Sequence, residues 1–228
     1  NFTLLHDDLM DRADVRRGKP CVHKVWNDNT AILSGDNMLV MAYQMMSRCP
    51  SSALPSVISI FTETALQTDE RQQYDMEFEQ RTADTDSEYL EMIRLKTSVL
   101  LACALQIGAL LGGASEADAQ ALYAYGEKVG LAFQLQDDYL DVYGDFETFG
   151  KAIGGDILCN KKTFMLINAL AHAPEHLRAE LQGWLAATEY DPAEKIEAVR
   201  HIYTQVGVDQ MAKERISFYI AQAEDALH

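Results

Sequence analysis

Two acidic clusters carry the first chemical signal. Asp7, Asp8 and Asp11 form one DDxxD run, and Asp137, Asp138 and Asp141 form another, 130 positions later. Each run follows an apolar segment that reads as helix. On a helix turning 100° per residue, positions i, i+1 and i+4 share one 100° sector. Three carboxylates on such a sector repel one another unless something positive joins them. Their oxygens are hard ligands suited to Mg2+, which keeps waters and commonly bridges carboxylates to substrate phosphates. Two helices presenting these clusters across a cavity could clamp a diphosphate through several ions. A single DDxxD in an acidic chain is more simply a solvated face. Two copies in matching apolar contexts, with basic residues after each, fit a clamp better.

The basic residues are few and grouped. Arg16 and Arg17 stand beside Gly18 and Lys19, just after the first cluster. Lys96 and Thr97 open the most apolar helix, and Lys151 and Lys161 follow the second cluster. The chain holds 35 acidic against 19 basic residues, a net charge of −16. That balance argues against nucleic acid or anionic lipid as a partner, because phosphate binding needs clustered Lys and Arg. An anionic substrate therefore needs metal ions or a local basic group. Arg can grip phosphate bidentately, while Lys acts as a point charge.

The elements that must hold these residues read as helices. Apolar residues make up 48% of 228, enough for a substantial core. The patterns predict helices over Asn1–Asp11, Asn29–Ser47, Ser56–Met76, Ser87–Leu111 and Glu116–Gly144, the last capped by Ser115. Further helices are predicted over Lys161–Ala171, Pro174–Thr188, Pro192–Val206 and Val208–His228. Asp14–Pro20, Cys49–Pro55 and Phe149–Asn160 read as loops. The fold class is all-α, in one domain. Cys21, Cys49, Cys103 and Cys159 form no CxxC pair, which fits reduced thiols in a cytoplasmic protein. The apolar run Val99–Leu111 is shorter than the roughly 20 residues a bilayer needs, so no membrane span is expected.

Taken together, Leu4–Asp11 with Arg16–Pro20 resembles the first aspartate-rich region of the polyprenyl synthetase family, the trans-isoprenyl diphosphate synthases. Phe133–Asp141 resembles the second. Lys96-Thr97, Gly150-Lys151, Gly155-Asp156 and Lys161 fit the family pattern between and after them. The similarity runs over essentially all 228 residues. It implies a single-domain isoprenoid-synthase helical bundle around a central cavity. Family members carry a Gly-Gly-Lys-Arg-type motif and a His before the first cluster. The chain is therefore expected to be a polyprenyl synthetase domain (1–228) lacking N-terminal helices and its C-terminal end.

The resemblance also implies a reaction. Allylic diphosphates (dimethylallyl, geranyl or farnesyl) ionise and condense with isopentenyl diphosphate, releasing pyrophosphate. Asp7, Asp8, Asp11, Asp137, Asp138 and Asp141 would hold Mg2+, three ions per site, with unequal ligation inside each trio. Arg16, Lys96, Lys151 and Lys161 would stabilise the leaving charge. Arg17 would hold isopentenyl diphosphate, and Thr97 and Gln134 would border the cation. His6 and His23 read as structural. Phe2 and Thr3, five and four positions before Asp7, would set chain length, and the aromatic Phe2 points to a C15–C20 product. A cytoplasmic homodimer is expected. The alternatives are a longer-chain synthase, a non-catalytic partner subunit, a terpene cyclase and a plain Mg2+- or Ca2+-binding protein. The intact second DDxxD argues against the cyclase and the partner subunit, and the basic residues argue against the ion-binding protein.

Overall fold

The computed structural model describes residues 2–10, 12–80, 85–145 and 153–228, and of residues 71–80 the backbone only. Among the described residues helix dominates, as the periodicity predicts. Helix α1 spans Phe2–Met10. The expected loop after it is a small ribbon, β1 (Val15–Arg16) antiparallel to β2 (Lys19–Pro20). Its turn residues Arg17 and Gly18 both have positive φ, 53° and 74°, the geometry a two-residue hairpin requires. Then come α2 (Val22–Val25), α3 (Asp28–Met46), α4 (Leu54–Gln80), α5 (Asp86–Ile93), α6 (Val99–Leu111) and α7 (Glu116–Tyr143). The chain ends with α8 (Gly155–Leu158), α9 (Phe164–His172), α10 (Glu175–Ala186), α11 (Pro192–Val206) and α12 (Val208–Asp225). The single turns α2 and α8 are not foreseen from sequence, since one helical turn leaves no periodicity to read.

Local chemistry sets the helix starts. Asn27 accepts the Thr30 N–H at 2.8 Å, Ser115 that of Asp118 at 3.1 Å and Asp191 that of Glu194 at 3.0 Å. Thr85 and Glu88 form a reciprocal capping box at the start of α5. Each such cap contributes about 1 kcal/mol.

The chain does not break between α5 and α6. Arg94–Ser98 forms a π turn inside one continuous helix, Asp86–Leu111. A π turn holds an extra residue, so it changes where the following side chains point. Arg94, its first residue, donates to Glu91 at 2.8 Å and to Glu127 of α7 at 3.2 Å. Two glycines bring α7 close along this same contact. A Cβ at Gly130 would lie 2.6 Å from Ser98 Cα, and one at Gly126 would lie 2.8 Å from Ala102 Cα. The same four-residue spacing then continues to Gln134 and Asp138. Among the described residues this continuous helix is long and apolar enough to cross a membrane. The helix exceeds the expected apolar run Val99–Leu111 because it continues back through the π turn to Asp86. The helix also carries Arg94 and Lys96.

The main core gathers Ile93, Leu135, Met165, Leu181, Ile202 and Val208, all 0–1% exposed. Burying each such side chain contributes roughly 1.5–3 kcal/mol. Val57, Cys103 and Ile107 make a smaller cluster where α4 meets α6. Lys195 is fully buried. Its ammonium donates to Asn160 at 2.7 Å and lies 4.2 Å from the Tyr190 ring centroid.

These contacts separate two glycine substitutions. Gly130→Ala should destabilise the protein by about 1–3 kcal/mol, because backbone atoms of Ser98 occupy the space. Gly183 in α10 has nothing within 4 Å of a Cβ, so Gly183→Ala should stabilise by about 0.5–1 kcal/mol. Urea unfolding of both variants checks the pair. Equal effects would mean that the α7 seam is not tight.

Candidate active site

Asp7 and Asp8 of the first cluster sit on the last turn of α1. Asp8 is buried, 6% exposed, and its carboxylate is already engaged. Arg16 Nε and Nη2 both donate to Asp8 Oδ1, at 2.9 and 2.6 Å. This hydrogen bond raises the guanidinium pKa despite partial burial. The β1–β2 ribbon thus folds back onto the helix that precedes it. Arg17, at the ribbon's turn, is exposed.

Asp7 faces differently. It lines a cavity of about 220 Å3 with Phe2, Thr3, His6 and Met10 of α1 and Thr68 and Asp69 of α4. One side of this cavity follows α1 from the acidic turn to its aromatic start, about 7.5 Å along the axis. His6 also ties α1 to α3, with Nε2 3.1 Å from the Ile32 carbonyl oxygen. Gly35 makes room for that ring, since a Cβ there would lie 2.1 Å from Nε2. His23 is buried, and neither ring nitrogen finds a hydrogen-bond partner among the described residues.

The second cluster closes α7. Asp138 is 2% exposed. The Tyr89 hydroxyl of α5 donates to its Oδ2 in a short hydrogen bond. Gln134 Nε2 donates to its Oδ1 at 3.3 Å, and Gln134 Oε1 accepts from Thr97 at 3.1 Å. Thr97 and Lys96 both lie in the π turn. Asp141 accepts the backbone N–H of Asp156 at 3.0 Å, where α8 begins. Lys161 donates to Asp156 at 3.1 Å. Gly154, at φ 85°, turns the chain so that its own N–H reaches the Asp141 carbonyl at 2.6 Å.

Burial shapes the charges. It pushes the Asp138 carboxyl up to about 7, against the opposing pull of Tyr89 and Lys161. Burial and the neighbouring Asp156 also raise Asp141. Partial burial works to lower Lys161, but Asp156, Asp138 and Asp137 outweigh it, so its pKa rises.

The structure therefore brings Thr97, Gln134, Asp138, Asp141 and Lys161 into one neighbourhood, and Asp8 with Arg16 into another. Helix α4 links them, flanking the Asp7 cavity and packing on the π turn and α6. Asp11 and Lys151 lie outside the described residues. Among the described residues no three His, Cys, Asp or Glu side chains gather as a closed metal centre. The donor set is nonetheless one for a hard cation shared with a substrate. Asp7 and Asp137 supply carboxylate oxygens from half-buried positions, and the cluster members that are deeply buried are held by protein donors. Tyr89 is the contributor that motif spacing passes over, and Asp156, named with Gly155 in the family pattern, carries no assigned role there. Tyr89 stands two turns before Lys96, and Asp156 acts through its backbone N–H as well as its carboxylate.

Comparison with known proteins follows the same lines. The family model described as polyprenyl synthetase matches residues 1–205. The geranylgeranyl diphosphate synthase of Methanosarcina mazei is 39% identical over 229 residues, covering 100% of this chain and 68% of that protein. The geranylfarnesyl diphosphate synthase of Aeropyrum pernix is 35% identical, covering 99% of this chain and 71% of that protein. A crystal structure of geranylgeranyl pyrophosphate synthase superposes with a TM-score of 0.91 at 45% identity, over 99% of this chain and 70% of its own.

The raised Asp138 pKa gives a stability prediction. Its folded value lies above the ordinary 3.8, so the folded state holds the proton more tightly than the unfolded one. The stabilisation is complete below about pH 4 and is lost as pH rises through about 7. Without divalent metal, wild-type stability should therefore fall between about pH 5 and pH 8 more steeply than that of Asp138→Asn. Urea titrations across that range measure it. Parallel slopes would show that Asp138 does not titrate there.

Proposed function

We propose a reaction for this chain, which belongs to the polyprenyl synthetase family. It is a trans-prenyltransferase that condenses allylic diphosphates with isopentenyl diphosphate, giving an all-trans C15–C20 prenyl diphosphate and pyrophosphate. The observation that carries the reading is the cavity beside α1. A cluster carboxylate, Asp7, and an aromatic, Phe2, line the same space. A substrate with an anionic head and an apolar tail suits that lining.

Mg2+, when bound, neutralises diphosphate charge and makes it a better leaving group. Asp7 and Asp137, with Asp11, would ligate it directly, with three ions per site as the proposed count. Asp8, Asp138 and Asp141 support them, each held by a donor from another element. Lys161 sits in the field of Asp137 and Asp138, where it adds charge stabilisation as the C–O bond breaks. Lys96, Lys151 and Arg16 add to it, Arg16 from its place on Asp8. Arg17, exposed at the ribbon turn, is free of the Asp8 pairing and takes the diphosphate of the second substrate. Thr97 and Gln134 present side-chain oxygens to the allylic cation. The apolar lining keeps water from quenching that cation. Departing pyrophosphate accepts the proton, so no side-chain base is needed.

Growth runs away from Asp7 towards Thr3 and Phe2, and the Phe2 ring forms the floor. A cytoplasmic homodimer completes the reading. Leu33, Val40, Met41 and Met45 leave exposed apolar surface on α3, which a second copy can cover.

The test is product analysis. The full-length protein is supplied with Mg2+, isopentenyl diphosphate and, in turn, dimethylallyl, geranyl and farnesyl diphosphate. Dephosphorylated products should run as C15–C20 alcohols, and Phe2→Ala should lengthen them. Absence of pyrophosphate release with every allylic substrate would sink the enzyme reading. A wild-type C25 or longer product would move the floor away from Phe2.

A further inference from the structure

Asp137 and Asp138 are neighbours on α7, about 100° apart around the helix. Asp138 turns into the protein and keeps only 2% exposure. A carboxylate in that place is expensive, and an apolar residue of similar volume would pack there more cheaply. Its presence calls for a use, and its partners indicate one. Tyr89 on α5 is itself 2% exposed and lies within the main core. Its hydroxyl is turned from solvent and directed at Asp138 Oδ2. The other carboxylate oxygen is thereby left to Gln134 Nε2 at 3.3 Å. With its amide nitrogen fixed, Gln134 must aim its Oε1 the other way, where Thr97 donates to it at 3.1 Å. One phenol thus orients a carboxylate, an amide and a hydroxyl drawn from two further segments. A phenylalanine at position 89 would fill the core equally well and orient nothing.

We infer that Tyr89 is a positioning residue for this site. Through Asp138 it fixes the last turns of α7, so that Asp137 meets the metal-bound diphosphate and Gln134 and Thr97 keep their orientation. The inference rests on the function proposed above. Tyr89 touches no substrate. It acts on the groups that do, as outer partners of metal ligands generally do.

The test reads binding as well as turnover. Calorimetry measures pyrophosphate affinity at one fixed, subsaturating Mg2+ concentration for the wild-type full-length protein, Tyr89→Phe, Asp138→Asn and the double variant. Losing such an outer partner typically costs 10–100-fold in metal affinity. Tyr89→Phe should therefore weaken Mg2+-dependent pyrophosphate binding at least about ten-fold, with a circular dichroism spectrum like that of the wild type. Because both residues act as one unit, Asp138→Asn should add little once Tyr89 is Phe. In turnover, kcat should fall while KM for isopentenyl diphosphate changes less than about two-fold. Unchanged affinity in Tyr89→Phe, or losses that simply add, would overturn the inference and leave the proposed function standing. A wild-type protein that binds no pyrophosphate with Mg2+ would overturn both. If Tyr89→Phe does not fold, 3-fluorotyrosine at position 89 keeps the hydroxyl and reports by fluorine resonance. That signal should move as Mg2+ and pyrophosphate saturate the site, and a signal that stays still overturns the inference.

Discussion

Carboxylates crowded on one helical turn repel, and burial makes each charge harder to keep. The structure answers by giving each buried aspartate a donor from elsewhere in the chain. Arg16, on a ribbon folded back over α1, takes Asp8. Tyr89 and Gln134 take Asp138. The first turn of α8 offers its N–H to Asp141, and Lys161 balances Asp156. Among the described residues, what remains half-buried is one aspartate from each cluster, Asp7 and Asp137. The geometry of those two depends on the pairing of the others. A bundle that merely tolerated six acids would have turned them all to water.

Backbone packing supplies the second requirement, which is rigidity at the correct depth. Gly126 and Gly130 let α7 approach Ala102 and Ser98 closely, and Arg94, at the start of the π turn, pairs with Glu127 of the same helix α7. The extra residue in that turn re-aims Lys96 and Thr97 without ending the helix. The route from core to site is therefore short. Packing fixes helix depth, depth fixes the Thr97–Gln134–Asp138 relay, and the relay fixes the direction in which the acidic turn faces.

The sequence made the large elements legible because they repeat a signal. The α7 helix carries its apolar period for 28 residues and starts at a serine cap, and both appear as predicted. The two clusters are visible because three identical charges on one sector are conspicuous. Phe2 and Thr3 line one cavity with Asp7, although an ideal helical wheel turns Phe2 well away from the Asp7 sector. What stayed hidden depends on tertiary approach or on backbone atoms. The π turn changes no residue type and leaves the apolar period nearly intact. The ribbon at Arg17–Gly18 is too short for alternation, and only its glycine marks it. Tyr89 meets Asp138 across 49 positions, with neither residue marking the other. The Asp141 partner is a backbone N–H, which any residue could supply.

The central claim is a division of labour, with Asp7 and Asp137 on the metal and Asp8 and Asp138 on the protein. Crystals grown with Mn2+ and pyrophosphate test it most directly through anomalous scattering at the manganese edge. The account predicts manganese peaks within direct ligation distance of carboxylate oxygens of Asp7 and Asp137, while Asp8 keeps Arg16 and Asp138 keeps Tyr89. Manganese bound by Asp8 or Asp138, with Arg16 or Tyr89 displaced, would contradict it.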